Sequence, residues 1–394
     1  MVRRPAILDG NPPRSPLLPF VRPCLPAMED LDESYREILR NGMITTGPYA
    51  DSLGKVIANQ LGVNHAIAVS SCTTGLMLAV QAMALPPDSE VVLPSFTFMA
   101  SGLGPVWNRL RLRFADVDRE TMNVTAQSVE QALTSNTSAI LAAHQFGNPT
   151  PVDELQSLAQ RHGLTLLFDA AHGFGSLHKK QPLGRFGNAE IFSMSPTKLL
   201  IAAEGGIVAT NDDRIADHVR IGRNYGNPGN YDCLFAGINA RMSELHALLA
   251  LQSFQSLEAA AQHRNRVATY FCERFASLPG IRCQKIDPCN RSSYKDFSIV
   301  VEEREFGLDR MRLADALSAE GIQTRVYYSP VLHRMKAYQE FVDKDAQERL
   351  ANTLYLESNA LSLPLYSDMS AEEAETICEA IECIHHHARE LSAG

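Results

Sequence analysis

The feature that most constrains this chain is a series of short apolar segments separated by stretches with helical periodicity. Seven such segments lie between residues 66 and 210, in the order AIAVS, EVVLP, LRLRFADV, AILAAHQ, LTLLFDAA, AEIFSMS and GIVAT. Strands that alternate with helices on this scale form a mostly parallel sheet, because each crossover helix must pack on a face of the sheet. We therefore predict an α/β fold for this part of the 394-residue chain.

Different kinds of sequence flank this series. Residues 1–27 are rich in proline and predict an extended arm. From about Arg241 the chain becomes a long helical stretch, and a second αβ series follows it with FSIVV, DRMRLADALSAEG and the strand-like IQTRVYY. The SAEE sequence at Ser370 is a capping box that predicts the start of the last helix. We predict the arm, a large domain over 28–255 and a smaller α/β domain over 256–394.

Composition and charge disfavour several classes of function. The net charge is −9 and no long basic run occurs, which disfavours nucleic acid or an anionic membrane as a partner. The eight cysteines are scattered without a CxxC pair, so we predict no metal site and a reducing compartment. The N-terminus lacks the apolar core of a signal peptide, and no run of about 18 apolar residues suggests a membrane helix. We expect a soluble cytoplasmic protein.

Polar residues that could take part in binding or catalysis lie at the ends of predicted strands, where open α/β sheets bind ligands. FDAAHGFGS places Asp169 there, either as a partner for a ligand's ring nitrogen or as a helix cap or metal ligand. FSMSPTKLL places Lys198 after another strand, where desolvation would lower its pKa, unless the side chain is solvated. SSCTTGL places Thr73 and Thr74 where a helix begins, which suits a phosphate group or ordinary capping.

In this order the three segments resemble the DegT/DnrJ-type aminotransferases, which are fold-type I enzymes that use pyridoxal 5'-phosphate (PLP). The resemblance extends over nearly the whole chain, through PFVRPCLPAMEDLDE, MITTGPYADSL, VSSCTTGL, LPSFTFMAS, FDAAHGFGS, FSMSPTKLLIAAEGG, RNYGNPGNYD, GINARMSELHALLALQSF, VYYSPVLHRMKAY and LSLPLYSDMSAEEAE. It implies the fold-type I architecture of the aspartate aminotransferase superfamily. That architecture has a large domain with a mostly parallel sheet flanked by helices, and a smaller C-terminal α/β domain.

The resemblance also implies catalytic roles for individual residues. Lys198 would hold PLP as a Schiff base, the internal aldimine, and would move the proton during catalysis. Asp169 would pair with the pyridinium nitrogen and keep it protonated. His172, where the family more often has Gln, would reach the face or the phenolic oxygen of the cofactor. Phe98 would stack on the cofactor ring.

Other implied roles concern the phosphate, the neighbouring subunit and the substrate. The implied phosphate ligands are Thr73, Thr74 and Ser193. Cys72 stands in the phosphate-binding turn where Gly is usual, although its backbone N–H can still serve. Asn239 would reach the active site of a neighbouring subunit, which implies a homodimer with shared active sites. Thr46 and Tyr327 would contact substrate, and at the position of Tyr327 the family often has His.

The implied reaction is a transamination with two ping-pong half-reactions. An amino acid, Glu or Gln, would donate the amino group, and a keto sugar, expected to be linked to a nucleotide, would accept it in amino-sugar biosynthesis. Some relatives carry His in place of the lysine and are dehydratases, so Lys198 favours transamination. Two alternatives stay open: another PLP-dependent reaction on the same fold, such as dehydration or elimination, and a PLP-binding regulatory protein without turnover.

Overall fold

A computed structural model describes residues 3–9 and 17–392 of the chain. Its α-helices are α1 (Ala6–Asp9), α2 (Asp32–Asn41), α3 (Pro48–Leu61), α4 (Cys72–Ala82), α5 (Ala100–Trp107), α6 (Ala126–Ala132), α7 (Val152–His162), α8 (Asp213–Gly222), α9 (Glu244–Phe254), α10 (Leu257–Phe275), α11 (Glu303–Phe306), α12 (Arg310–Ala319), α13 (Ala346–Arg349), α14 (Ala351–Asn359), α15 (Ala371–His386) and α16 (Ala388–Ser392). Short 3₁₀ helices cover Met28–Asp30, Gln145–Gly147, Leu332–Arg334 and Lys336–Phe341. The strands are β1 (His65–Val69), β2 (Glu90–Pro94), β3 (Arg111–Ala115), β4 (Thr137–Ala143), β5 (Thr165–Asp169), β6 (Leu177–His178), β7 (Gln181–Pro182), β8 (Ala189–Ser193), β9 (Gly206–Thr210), β10 (Ile281–Cys283), β11 (Phe297–Val301) and β12 (Ala360–Leu363).

The seven predicted strand segments form one sheet in the order β1-β9-β8-β5-β4-β2-β3. Neighbouring strands from β8 to β3 are parallel, whereas β9 runs antiparallel to both β1 and β8. All residues of β8 and β9 are buried, as expected for central strands that are covered on both faces. The prediction of a mostly parallel sheet flanked by helices is confirmed.

Alternating side chains of the sheet enter different apolar clusters on its two faces. Ile191 of β8 belongs to the cluster that contains Leu76 of α4. Its neighbour Phe192 belongs to the cluster that contains Ile57 of α3. A Cβ atom on Gly75 would lie only 2.9 Å from Ile191 Cγ2, so glycine lets α4 pack closely on the sheet. This close packing fixes the N-terminus of α4 at the carboxyl edge of the strands.

The C-terminal part of the chain builds a second, smaller sheet. β10, β11 and β12 form it in antiparallel order, and α10, α12 and α15 contribute to the apolar cluster around it. Ser370 caps α15 in a capping box with Glu373, so the predicted start of the last long helix is confirmed. α9 ends at Phe254 and α10 begins at Leu257, next to the predicted domain boundary. The division at residue 255 itself stays a prediction.

The prediction of a strand over residues 322–328 is wrong. β10 and β12 occupy the two edges of β11, so this segment can only approach the outer edge of β12. It does so at one bridge, where Arg325 and Ser362 exchange backbone hydrogen bonds. The following residues leave the sheet, and Tyr327 and Tyr328 turn toward the large sheet instead.

The N-terminal arm is less extended than the sequence predicted, because it contains the helical turn of α1. The Ala6 N–H donates a hydrogen bond to Glu320, and Leu18 exchanges backbone hydrogen bonds with Gly321 and Gln323. Both contacts join the arm to the end of α12. Residues 10–16, in the middle of the predicted arm, lie outside the described residues. Within the described part of the chain, no helix combines the length and apolar character that crossing a membrane requires.

Candidate active site

The carboxyl ends of several strands open into one cavity of about 350 Å³. β5 contributes its last residue, Asp169, and β8 contributes Ser193. α4 begins beside them after β1, and β9 enters the sheet at the same edge because it runs in the opposite direction. The predicted site residues that line the cavity are Thr73, Phe98, Asp169, His172, Ser193, Lys198 and Tyr327.

Lys198 lies in the loop after β8, where its backbone N–H bonds to the Ser195 carbonyl oxygen. The side chain keeps some exposed area, yet protein atoms surround its amine. Desolvation, followed by the positive charge of Lys295, lowers the pKa of Lys198 from 10.5 to about 7. Asp296 and Asp169 act in the opposite direction, with smaller effect. A substantial fraction of the amine is therefore neutral at pH 7, and a neutral amine is a nucleophile for aldehydes.

Asp169 is a buried carboxylate whose two oxygens are both held. Oδ2 accepts a hydrogen bond of 2.6 Å from the Ser101 hydroxyl. Oδ1 accepts one of 3.0 Å from the backbone N–H of Ala171. These bonds fix the carboxylate in one orientation at the wall of the cavity, and each oxygen can still accept a further hydrogen bond. The position suits a cationic N–H group of a bound ligand.

The N-terminus of α4 forms a polar end of the cavity. Ser71 and Thr74 form a capping box, in which the Ser71 hydroxyl accepts from the Thr74 N–H and the Thr74 hydroxyl accepts from the Ser71 N–H. The Thr74 hydroxyl is thus turned back onto the cap, whereas Thr73 lines the cavity. Cys72, which stands where Gly is usual, also lines the cavity, and its thiol lies 3.5 Å from the Ile191 carbonyl oxygen. The first N–H groups of a helix lack partners within the helix and favour anions.

Two aromatic rings complete the part of the cavity predicted from sequence. His172 stacks on Phe146 with a centroid distance of 6.4 Å. Desolvation, together with the charges of Lys198 and Lys295, holds the pKa of His172 well below its usual value, so the imidazole is neutral at pH 7. Phe98 is 50% exposed although it is a large apolar residue, and it lines the cavity. An exposed aromatic face at this place suits stacking on a planar ligand.

Three predicted site residues do not line this cavity. Thr74 is the first, for the reason given above. Thr46 is exposed in the turn before α3, where its φ is 55°. Asn239 is also exposed, and a backbone bridge pairs it with Asn224. The binding roles of all three stay predictions, and those of Thr46 and Asn239 would depend on a substrate or a second subunit.

Several cavity residues were not found from the sequence: Ser71, Ser195, Thr197, Glu204, Lys295, Asp296 and Tyr328. The most notable are Lys295 and Asp296, which are only 5% and 3% exposed. Lys295 Nζ lies 2.7 Å from Asp296 Oδ1, and it also lies 5.9 Å from the centre of the Tyr327 ring. One sequence signal could have indicated them, namely two adjacent charged residues directly before the apolar strand FSIVV.

The residues of the cavity fit each functional part of PLP. Lys198 has a partly neutral amine that would suit the aldehyde, and Asp169 has an oriented carboxylate that would suit the ring nitrogen. The N-terminus of α4, together with Thr73 and Ser193, would offer hydrogen-bond donors to the phosphate. These groups all line one cavity.

Comparison with known proteins identifies the family. The sequence pattern of the DegT/DnrJ/EryC1/StrS aminotransferase family matches residues 27–382. The spore coat polysaccharide biosynthesis protein SpsC of Bacillus subtilis (strain 168) is 30% identical over 385 residues, which are 94% of this chain and 98% of SpsC.

Solved structures share the fold. DesI, determined in the presence of its TDP-sugar product, is 30% identical with a TM-score of 0.92, over 100% of this chain and 99% of DesI. DesV of S. venezuelae, in complex with a ketimine intermediate, is 27% identical with a TM-score of 0.84, over 95% of this chain and 99% of DesV. The chain therefore belongs to the DegT/DnrJ/EryC1/StrS aminotransferase family, whose enzymes depend on PLP.

Proposed function

We propose that this protein transfers the amino group of an amino acid, Glu or Gln, to the carbonyl carbon of a nucleotide-linked keto sugar. The observation that carries the proposal is the juxtaposition of Lys198 and Asp169. A lysine whose pKa is lowered to about 7 shares one cavity with a carboxylate that two hydrogen bonds hold in place. A lysine at this position can both form a Schiff base with the cofactor and move a proton. A histidine in its place could not form the Schiff base.

Each cavity residue has a defined task in this proposal. Bound PLP supplies an electron sink, which makes the hydrogen on the carbon next to the amino nitrogen acidic. Lys198 takes that proton as a general base and returns it on the other side of the transfer. Asp169 balances the positive charge of the ring nitrogen. Phe98 fixes the plane of the ring, and neutral His172 forms a hydrogen bond with the cofactor.

The rest of the cavity supports a polyhydroxylated acceptor. Beyond the groups assigned to the cofactor, its wall carries the side chains of Glu204, Lys295, Asp296 and Tyr327. These groups offer hydrogen-bond donors and acceptors close together, which a sugar needs and an apolar substrate does not. DesI, the relative determined with a TDP-sugar product, supports the same substrate class.

We also propose that the active protein is a homodimer. Asn239 is exposed and lies outside its own chain's cavity, as a residue that completes a neighbour's site must. Large apolar side chains are exposed as well, among them Met43, Ile44, Tyr225 and Leu234. Exposed apolar side chains indicate a protein-binding surface where they adjoin one another, as the consecutive residues Met43 and Ile44 do. Asn239→Ala is expected to weaken PLP binding without altering the fold of the single chain.

A screen of keto-sugar nucleotides tests the proposed reaction. The purified protein is first converted to its pyridoxamine form with glutamate, and each sugar is then added under single-turnover conditions. We expect one class of keto sugar to restore the absorbance of the lysine-bound cofactor and to yield an amino sugar that carries ¹⁵N from labelled glutamate. Release of ammonia or CO₂ without a labelled amino sugar would instead indicate a lyase, and PLP binding without any turnover would indicate a regulatory protein.

A further inference from the structure

We propose that Lys295 and Asp296 recognise hydroxyl groups of the acceptor sugar and thereby select which sugar is aminated. The inference rests on the proposed function, since it assigns a specificity role within the same cavity. It concerns two residues of the segment before β11, which the backbone N–H of Lys295 joins to the Phe146 carbonyl oxygen, just beyond the end of β4.

The backbone brings both side chains to the same place. Adjacent residues of a strand point to opposite faces, but residues 295 and 296 form a bend just before β11 begins at Phe297. Both side chains therefore reach the cavity, and Nζ of Lys295 lies 2.7 Å from Oδ1 of Asp296. The two charges are almost fully withdrawn from solvent. A buried pair of this kind is a costly feature for a protein to build, because each charge loses its hydration.

The hydrogen bonding of the Lys295–Asp296 pair is incomplete, which indicates a ligand. Oδ2 of Asp296 is buried, yet it has no hydrogen-bond partner among the described residues. The ammonium group of Lys295 can donate three hydrogen bonds. Among the described residues it donates one, to Asp296. A buried carboxylate oxygen without a partner is destabilising, and in native proteins such atoms are usually satisfied by a ligand or an ordered molecule. The cavity beside it provides the space.

The chemistry of the pair favours neutral hydroxyl groups over a charged group. Lys295 and Asp296 together carry no net charge, so they attract neither a carboxylate nor a phosphate strongly. They do present free N–H donors next to a free oxygen acceptor. A hydroxyl group can accept from the first and donate to the second, and two neighbouring hydroxyls of a sugar ring can do both at once.

The location of the pair also suits the sugar ring. The charge of Lys295 acts on both Lys198 and His172, so the pair lies within electrostatic reach of the reacting amine. Lys198 must move a proton to the acceptor's carbonyl carbon, so that carbon has to come close to the Lys198 amine. The hydroxyls next to the carbonyl then lie only a few bonds away. The ring of Tyr327 beside Lys295 adds an aromatic face and a further hydroxyl on the same wall.

The test compares the two half-reactions in the holoenzyme and in Asp296→Asn, which keeps the size of the side chain. Asp153→Asn removes a carboxylate from an ion pair outside the cavity and serves as the matched control. The probes are TDP-4-keto-6-deoxyglucose and its 2-deoxy and 3-deoxy counterparts. Calorimetry with the corresponding TDP-linked amino sugar measures binding independently of turnover, and circular dichroism with cofactor absorbance reports that each variant is folded.

We expect Asp296→Asn to lower kcat/KM for the parent sugar about 10- to 100-fold, and to weaken binding of the amino sugar similarly, because a hydrogen bond to a charged group is lost. The glutamate half-reaction should change far less, and Asp153→Asn should match the unmodified enzyme. For one deoxy sugar the variant and the unmodified enzyme should become nearly equal, since the missing hydroxyl is the one that Asp296 binds.

Two results would overturn the inference while leaving the proposed function intact. In the first, both half-reactions fall by the same factor in Asp296→Asn. In the second, removal of each hydroxyl from the sugar lowers kcat/KM by the same factor in the variant as in the unmodified enzyme. If the unmodified enzyme neither binds nor aminates any of these sugars, the proposed function fails for this substrate class and the inference fails with it.

Discussion

The two walls of the cavity are built on different principles. On the wall formed by the large sheet, Asp169 accepts hydrogen bonds at both oxygens and is fixed before any ligand arrives. On the wall formed by the segment before β11, which we call the facing wall, Lys295 and Asp296 form an ion pair, but one carboxylate oxygen has no partner within the described residues. A carboxylate that is held at both oxygens is preorganised for one constant ligand. A half-bonded group leaves hydrogen bonds to be completed by the ligand, which suits a substrate that enters and leaves in every turnover.

The largest expected effect concerns Lys198, the centre of the preorganised wall. Lys198→Ala should abolish the absorbance of the lysine-bound cofactor and reduce turnover by at least about 1000-fold, because the group that transfers the proton is lost. Spectroscopy and single-turnover kinetics measure the two effects separately. Lys180→Ala, which alters an exposed lysine, is the control and should behave like the unmodified enzyme. A Lys198→Ala protein that still transaminates at a comparable rate would contradict the assignment.

Asp169→Asn should give the next largest effect. The amide cannot balance a positive charge on the ring nitrogen, so we expect kcat to fall about 100- to 1000-fold in both half-reactions. The equal loss in both directions distinguishes this wall from the facing one, where Asp296→Asn should affect the acceptor half-reaction more. If Asp169→Asn impaired only one half-reaction, the division of the cavity into a cofactor wall and a substrate wall would be wrong.

The preorganised wall could be predicted from sequence because its information is local. Asp169 and Lys198 each follow a continuous apolar strand, and strand ends of a parallel sheet meet at one edge. The resemblance to a known family then added roles for Phe98 and Ser193, both of which line the cavity. Neither inference required knowledge of contacts between distant segments.

The facing wall could not be predicted in the same way. Lys295 and Asp296 line the same cavity as Lys198 because segments distant in sequence pack together, as the hydrogen bond from the Lys295 N–H to the Phe146 carbonyl oxygen shows. No local pattern encodes that packing. The strand predicted over 322–328 failed for the same reason, since β12 had already taken the edge of β11. The prediction for Thr74 missed a competing local bond, because the capping box turns its hydroxyl away from the cavity.

The pH dependence of cofactor capture should connect the two walls. Capture of PLP by cofactor-free protein requires the neutral amine of Lys198, so its rate should rise with pH around a midpoint near the pKa of about 7. Lys295→Met removes a positive charge that lowers this pKa, and the midpoint should move to higher pH. Asp296→Asn removes a negative charge that raises the pKa of Lys198, and the midpoint should move to lower pH.

The opposite signs make this pair of variants informative. Stopped-flow absorbance, recorded from about pH 6 to about pH 9, would measure the midpoints of both variants. Shifts in the same direction would indicate that the substitutions disturb the cavity as a whole. The absence of any shift would mean that the facing wall contributes no charge effect at Lys198.

The smallest expected effect uses two helix caps as a matched pair, one at the cavity and one remote from it. The Ser71 hydroxyl accepts from the Thr74 N–H at 3.1 Å, and the Ser370 hydroxyl accepts from the Glu373 N–H at the same distance. Loss of either cap should lower the free energy of unfolding of the cofactor-free protein by about 1 kcal/mol, as measured in urea. Only Ser71→Ala should also weaken PLP binding, by about two- to fivefold, since of these two helices only α4 begins at the cavity where the phosphate is proposed to bind. Equal losses of PLP affinity in Ser71→Ala and Ser370→Ala would mean that the helix terminus acts through global stability, and the phosphate would then depend on side chains such as Thr73 and Ser193 alone.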